Sequence, residues 1–163
     1  MNERETCDGR FLALAKEHGF DIHGENTAGG NYAPLLRHGD ELYISGLIPR
    51  MNDKLQYPGR VGQELTLADA QSAARISALR ALALIVDAIG SLDKLRSLLR
   101  VTVYVRCTAD FVDLSDVANG ASDVFLHVLG DAGKHTRSTV GVYQLPKNAA
   151  IEVDLIAVVA PTA

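Results

Sequence analysis

Apolar residues recur with changing periods along this chain, and the changes mark its elements. Residues 3–18 place Phe11, Leu12, Leu14 and Ala15 on one side of a helical wheel, and Gly19 stands where a terminating glycine belongs, which predicts a short amphipathic helix. After the glycine-rich stretch GENTAGGNYAP, residues 33–37 and 41–48 read as two strands about the turn RHGDE. In the second strand Leu42, Ile44 and Gly46 alternate with Tyr43, Ser45 and Leu47 until Pro49, which cannot donate to a ladder. Residues 50–64, with YPGRVG inside, read as an irregular loop. Thr66, with Asp69 three residues on, carries a capping-box signature for a helix running to about Ile89, and Gly90 follows as its stop. Its repeated alanines permit close packing on a sheet, and Ile76, Leu79, Ala83 and Val86 form a stripe at helical spacing.

Residues 98–106 alternate strictly, with Val101, Val103 and Val105 on one side and Arg100, Thr102, Tyr104 and Arg106 on the other, which predicts a strand with one apolar face. Residues 113–129 read as a second long helix with Val117, Ala121, Val124 and Val128 inward and Gly130 as its stop. A hairpin from residue 136 to about Val159 ends the order. Helices and strands in this sequence predict an α+β fold, a mixed sheet with both long helices on one face, in a single domain over residues 1–163 with 1–19 as an N-terminal helical extension. The free sheet face, with Thr102 and Tyr104 between two arginines, suits a subunit interface better than solvent.

The last hairpin holds the most chemistry. With a loop at residues 145–148, Gln144 would pair with Ala149, Gly141 with Glu152, Thr139 with Asp154 and Arg137 with Ile156. That register would set Arg137, Thr139, Gly141 and Tyr143 on one face together with Glu152 and Asp154, and leave a gap at Gly141. Two readings are open at this point. The charges form a cross-strand ion pair, or the arginine fork grips a small carboxylate while the glutamate holds a water.

Composition narrows the classes. Apolar residues make up 47% and charged residues 22% of 163 positions, with a net charge of −4, which argues against broad electrostatic binding of nucleic acid. The two cysteines, Cys7 and Cys107, form no CxxC unit, so the default setting is reducing and cytoplasmic. No signal-peptide pattern opens the sequence, and the apolar segment from Ala78 to Ile89 is broken by Arg80 and Asp87, so no membrane association is expected. The five histidines have no metal-ligand spacing, and of them only His135, beside Arg137, stands near the candidate chemistry. The glycine-rich stretch has no nucleotide-binding pattern, so neither metal nor cofactor is expected.

The stretch RSTVGVYQLPKNAAIEVDLIAV resembles the closing signature of the RidA/YjgF family, also labelled L-PSP endoribonuclease. NYAPLLRHGDELYISGLIP resembles its upstream Tyr-hairpin-Ser-Gly segment, with Tyr32 fourteen residues before Gly46, and VANGASDVF resembles its Asn-containing helix start. GNY, VANGASD and RSxVGV together resemble a subgroup that carries an N-terminal helical extension. The resemblance implies a chorismate-mutase-like homotrimer with a pocket at each subunit cleft, and hydrolysis of 2-imino or enamine acids to 2-keto acids and ammonia. It implies Arg137 as the carboxylate anchor and Glu152 as the residue that positions water. Tyr32 would close the pocket, Ser45 and Gly46 would line it, and Asn119 would support it. Thr139 stands where a cysteine offers its backbone carbonyl, and Gly141 stands where a larger residue would narrow the site. A non-catalytic sensor of a small carboxylate and a ribonuclease remain alternatives, and the acidic balance makes RNA the weakest partner.

Overall fold

The computed structural model describes residues 6–24 and 28–160. Helix α1 (Cys7–Glu17) begins at Thr6, whose hydroxyl accepts from the Gly9 amide, and buries Phe11 and Ala15, while Leu12 is half exposed. The first residues of its expected span, 3–5, lie outside the described residues. A hairpin of β1 (Leu35–His38) and β2 (Glu41–Leu47) follows. The stretch expected as irregular loop contains a small hairpin, β3 (Arg50–Met51) and β4 (Lys54–Leu55). Helix α2 (Leu67–Ile89) carries the full capping box: the Asp69 amide donates to the Thr66 hydroxyl and the Thr66 amide to the Asp69 carboxylate. Strand β5 (Leu95–Arg106), helix α3 (Leu114–Leu129), β6 (Thr136–Val142) and β7 (Ile151–Val159) complete the order.

The five-stranded sheet runs β1-β2-β7-β5-β6. Val101, Val103 and Val105 of β5 and Ile151, Val153, Leu155 and Ala157 of β7 are buried beneath α2 and α3, as the alternation requires. Helix α2 is buried on far more than one stripe, from Ala70 to Ile85, because sheet, α3 and α1 all close on it. Where α3 crosses α2, a Cβ on Gly120 would stand 2.3 Å from the Gln71 backbone carbonyl oxygen, so the two backbones touch at a glycine.

Two expectations are corrected. First, β6 and β7 form no hairpin. β6 pairs in parallel with β5, Arg137 opposite Val101, and β7 pairs antiparallel with the other edge of β5, Glu152 opposite Tyr104. A parallel pair needs a crossover connection, which α3 supplies, and residues 143–150 then carry the chain past β5 to its far side. Directly paired residues share a face. Arg137, Thr139 and Gly141 therefore lie on the helix side with Val101, Val103 and Val105, while Glu152 and Asp154 lie on the open side with Tyr104 and Thr102. Tyr143 lies beyond the end of β6 and is exposed. Second, β2 does not alternate evenly. Leu42, Ile44 and Leu47 are all buried because the register with β7 shifts between Ile44 and Leu47, a bulge at Ser45–Gly46.

Candidate functional site

The bulge in β2 builds one half of the candidate site. The Ser45 hydroxyl donates to the Ala33 carbonyl at 2.8 Å and the Ser45 amide to the Pro34 carbonyl at 3.0 Å, which ties the bulge to the segment carrying Tyr32. Glu152 projects from β7 across Gly46, where a Cβ would collide with its carboxylate, so any side chain at position 46 would displace that group. Tyr32, Ser45, Gly46 and Glu152 border one cavity of about 190 Å³, together with Arg50 and Arg80.

Glu152 is half-buried, and its burial, with the nearby Asp154 charge adding to it, pushes its carboxyl above the ordinary glutamate range. A carboxyl whose folded-state pKa is raised contributes stability that is complete below the unfolded value and lost as pH rises through the folded value. Glu152→Gln is therefore expected to melt higher than the native protein at neutral pH. The advantage should fade as pH falls through the raised folded-state value and be gone below about 4, the ordinary glutamate pKa. Thermal midpoints of both proteins across that range check the sign.

The second half lies on the opposite sheet face. The Arg137 guanidinium is held along α3: Nη1 donates to Asn119 Oδ1 at 3.0 Å and Ser122 Oγ at 2.9 Å, and Nη2 to the Ser115 carbonyl at 3.2 Å. All three acceptors are neutral, and among the described residues Arg137 forms no ion pair. The shared face expected for Arg137, Glu152 and Asp154 is thus overturned, and with it the ion-pair reading of the two left open, because β5 separates the strands and the side chains leave on opposite faces.

His135 extends this half. Its Nδ1 lies 2.6 Å from the Gly133 carbonyl, which can only accept, so Nδ1 carries the proton. In the neutral ring Nε2 then accepts from Ser122 Oγ, 3.0 Å away, and that same oxygen accepts from Arg137. His135 is accordingly linked to the arginine through one serine. Thr139 shares the arginine's face. Gly141 borders neither half but an open groove with Cys107 and Leu114, where an added Cβ would meet the Cys107 sulfur at 3.2 Å.

The expected site residues thus fall into two groups, Tyr32–Ser45–Gly46–Glu152 and Arg137–Asn119 with Thr139 alongside. Sequence reasoning passed over Ser122 and Arg80. Ser122 stands three residues after Asn119 on one helix face, a spacing that carried the signal. Arg80 is an arginine among alanines and leucines, legible only as an interruption.

A mixed sheet covered by two long helices on one face, with charged and polar groups on both, defines a class of α+β proteins with a chorismate-mutase-like fold. Residues 13–159 match the YjgF/chorismate mutase-like endoribonuclease family, and the chain belongs to it. It is 36% identical over 152 residues to protein TCP17 of Trypanosoma cruzi, covering 93% of this chain and 95% of that one. It is 29% identical over 133 residues to a 2-iminobutanoate/2-iminopropanoate deaminase of Dermatophagoides farinae, covering 80% of this chain and 87% of that protein. Among solved structures, protein Atu1372 of Agrobacterium tumefaciens, whose function is unknown, superposes with a TM-score of 0.86 at 34% identity, covering 97% and 95% of the two chains. No helix among the described residues is long and apolar enough to cross a membrane.

Proposed function

We propose that this protein hydrolyses 2-imino acids, and the enamines that tautomerise to them, to 2-keto acids and ammonia. The observation that carries the reading is a half-buried Glu152, its carboxyl pushed above the ordinary range by burial, in a cavity beside backbone and hydroxyl groups, matched on the other sheet face by an arginine fork with no acid partner among the described residues. A relative that bears the name of an imine deaminase supports the same chemistry.

An imine carbon is already electrophilic, so hydrolysis needs orientation and one activated water. Arg137 would hold the substrate carboxylate through two donors. Glu152 would take a proton from the attacking water as the new C–O bond forms and the C=N electron pair moves to nitrogen. From the protonated imine this gives a neutral carbinolamine. Returned to its amine, that proton makes ammonia the leaving group. As the hydroxyl gives its own proton to Glu152, the O–H pair forms the C=O bond and the C–N pair departs with nitrogen, leaving the keto acid and ammonia. Tyr32 would cover the cavity, Ser45 and Gly46 would shape it, and Asn119 and Thr139 would stand beside the carboxylate.

Because the two halves lie on opposite faces of one sheet, a complete site requires Glu152 of one copy to meet Arg137 of another, and a closed ring of three copies satisfies every half-site. Exposed Tyr43, Leu99 and Val140 support an assembly on the open faces. The reading is tested by generating a 2-imino acid in situ with an amino-acid oxidase and following its decay. Decay faster than the buffer rate, from a species of trimer mass, is the expected result. Decay at the buffer rate overturns the activity, and saturable 2-keto acid binding in that case would leave a sensor.

A further inference from the structure

Arg80 is the least expected side chain in the molecule. It stands in the middle of α2 among alanines and leucines, only 4% exposed, and its guanidinium borders the Glu152 cavity. Among the described residues its one hydrogen bond runs from Nη1 to the Ile48 carbonyl at 2.7 Å, so most of its five N–H donors are left for other partners. Among the described residues no carboxylate lies within ion-pair distance of it. The nearby Asp53 is engaged with Arg50, the second arginine of the cavity.

Burial and the positive charge of Arg50 push the Arg80 guanidinium down to about 10, which leaves it charged at neutral pH. A buried charge without a counterion is costly, and the cost is relieved by an anion that enters the cavity. Lys147 adds a third positive group to the lining, against the single carboxylate of Glu152. The cavity is thus built to receive negative charge beyond what the reacting end of a simple imino acid brings, since that carboxylate is taken by Arg137.

We propose that the Glu152 cavity contains a second anion subsite, centred on Arg80 and flanked by Arg50, and that its preferred substrates are 2-imino acids carrying a second carboxylate on the side chain. This rests on the imine-hydrolase reading for the reaction but not for the binding. The reactions that supply such a substrate are those that oxidise the Cα–N bond of acidic amino acids, passing two electrons to an acceptor.

The test compares binding of 2-oxoglutarate with that of 2-oxopentanoate, which differ by the terminal carboxylate, to the full-length protein by calorimetry. The native protein is expected to bind 2-oxoglutarate at least tenfold more tightly, the scale of one charge-assisted pair. Arg80→Gln, which keeps a donor for the Ile48 carbonyl, should remove that preference and leave 2-oxopentanoate affinity within about twofold. Equal native affinities overturn the subsite, as does an equal loss for both ligands in Arg80→Gln. Inorganic phosphate displacing 2-oxoglutarate at equal concentration would overturn the carboxylate assignment. Should Arg80→Gln not fold, the native preference still decides, with Arg80→Lys expected to retain it in part. Preference for 2-oxoglutarate without turnover of any imino acid would sink the hydrolase reading alone. Turnover of the alanine-derived imino acid at least as fast as the aspartate-derived one would sink the subsite alone.

Discussion

Arg137→Ala is expected to lower kcat/KM for imino acid hydrolysis by about a hundredfold while the protein still folds. Two hydrogen bonds from a guanidinium to a carboxylate contribute roughly 3 kcal/mol together, which corresponds to about two powers of ten in rate. The fold should survive because the groups left behind, Asn119, Ser122 and the Ser115 carbonyl, are neutral, and Asn119 and Ser115 lie at the exposed surface of α3. Glu152→Gln should be impaired at least as strongly, since a positioned base contributes roughly 10²–10⁴-fold. The opposite placement of the two residues adds a sharper test. Subunits carrying Arg137→Ala and subunits carrying Glu152→Gln, each nearly inactive, should regain activity when dissociated and reassembled together. One intact cleft then forms between a subunit that still has its arginine and one that still has its glutamate. Undiminished turnover by Arg137→Ala, or no recovery in mixed assemblies of confirmed composition, would remove the shared-cleft reading.

Gly120→Ala should destabilise the fold by about 3 kcal/mol, the upper range for overpacking, and lower the melting temperature by about 6–12 °C. A methyl at this position would stand 2.3 Å from the Gln71 carbonyl oxygen and 2.9 Å from its Cα, both of them backbone atoms, so only separation of α2 and α3 can relieve the clash. The separation would also strain the bond from Gln71 Nε2 to the Asp116 carbonyl, 2.9 Å long, that joins the same helices. The better helix propensity of alanine offsets less than about 1 kcal/mol. Gly141→Ala is the matched control: its methyl meets only the Cys107 sulfur and Leu114 side-chain carbons, which can shift, so its melting temperature should stay close to native. Calorimetric melting of the two variants side by side settles the comparison.

The helices were legible because their signals are local. Thr66 and Asp69 form the capping box they spell, Gly90 ends α2 in the left-handed region, and Val117, Ala121, Val124 and Val128 are the buried face of α3. Strand existence was equally legible in the alternation of β5. Strand pairing was not, because side-chain alternation says which residues face the core but not which strand lies alongside. Thr136–Val142 and Ile151–Val159, separated by a proline-containing turn, satisfy every local rule for a hairpin. The parallel alignment of β6 with β5 depends on α3 having returned the chain to the same end of the sheet, which no window of a few residues contains. The bulge at Ser45–Gly46 was hidden for a similar reason: it is a relation between β2 and β7, more than a hundred residues apart. Arg80 was visible as a break in an apolar run, but only the packing of α2 shows that the break is buried.

The placement of β7 between β2 and β5 has a kinetic consequence. Its partners come from the first third and the middle of the chain, so its ladders close long loops and their entropy opposes early formation. The contacts of Arg137 with Asn119 and Ser122 span fewer than twenty residues and join neighbouring elements of one crossover unit. The arginine's surroundings should therefore assemble while Gly46 and Glu152 are still apart, and the glutamate should reach its cavity only when the sheet closes. Pulse-labelled amide exchange during refolding, with α3 amides protected before those of β2 and β7, is the expected signature. Molecules caught before that closure would expose two unpaired strand edges, at β2 and β5, and these are the surfaces through which a crowded refolding mixture would aggregate.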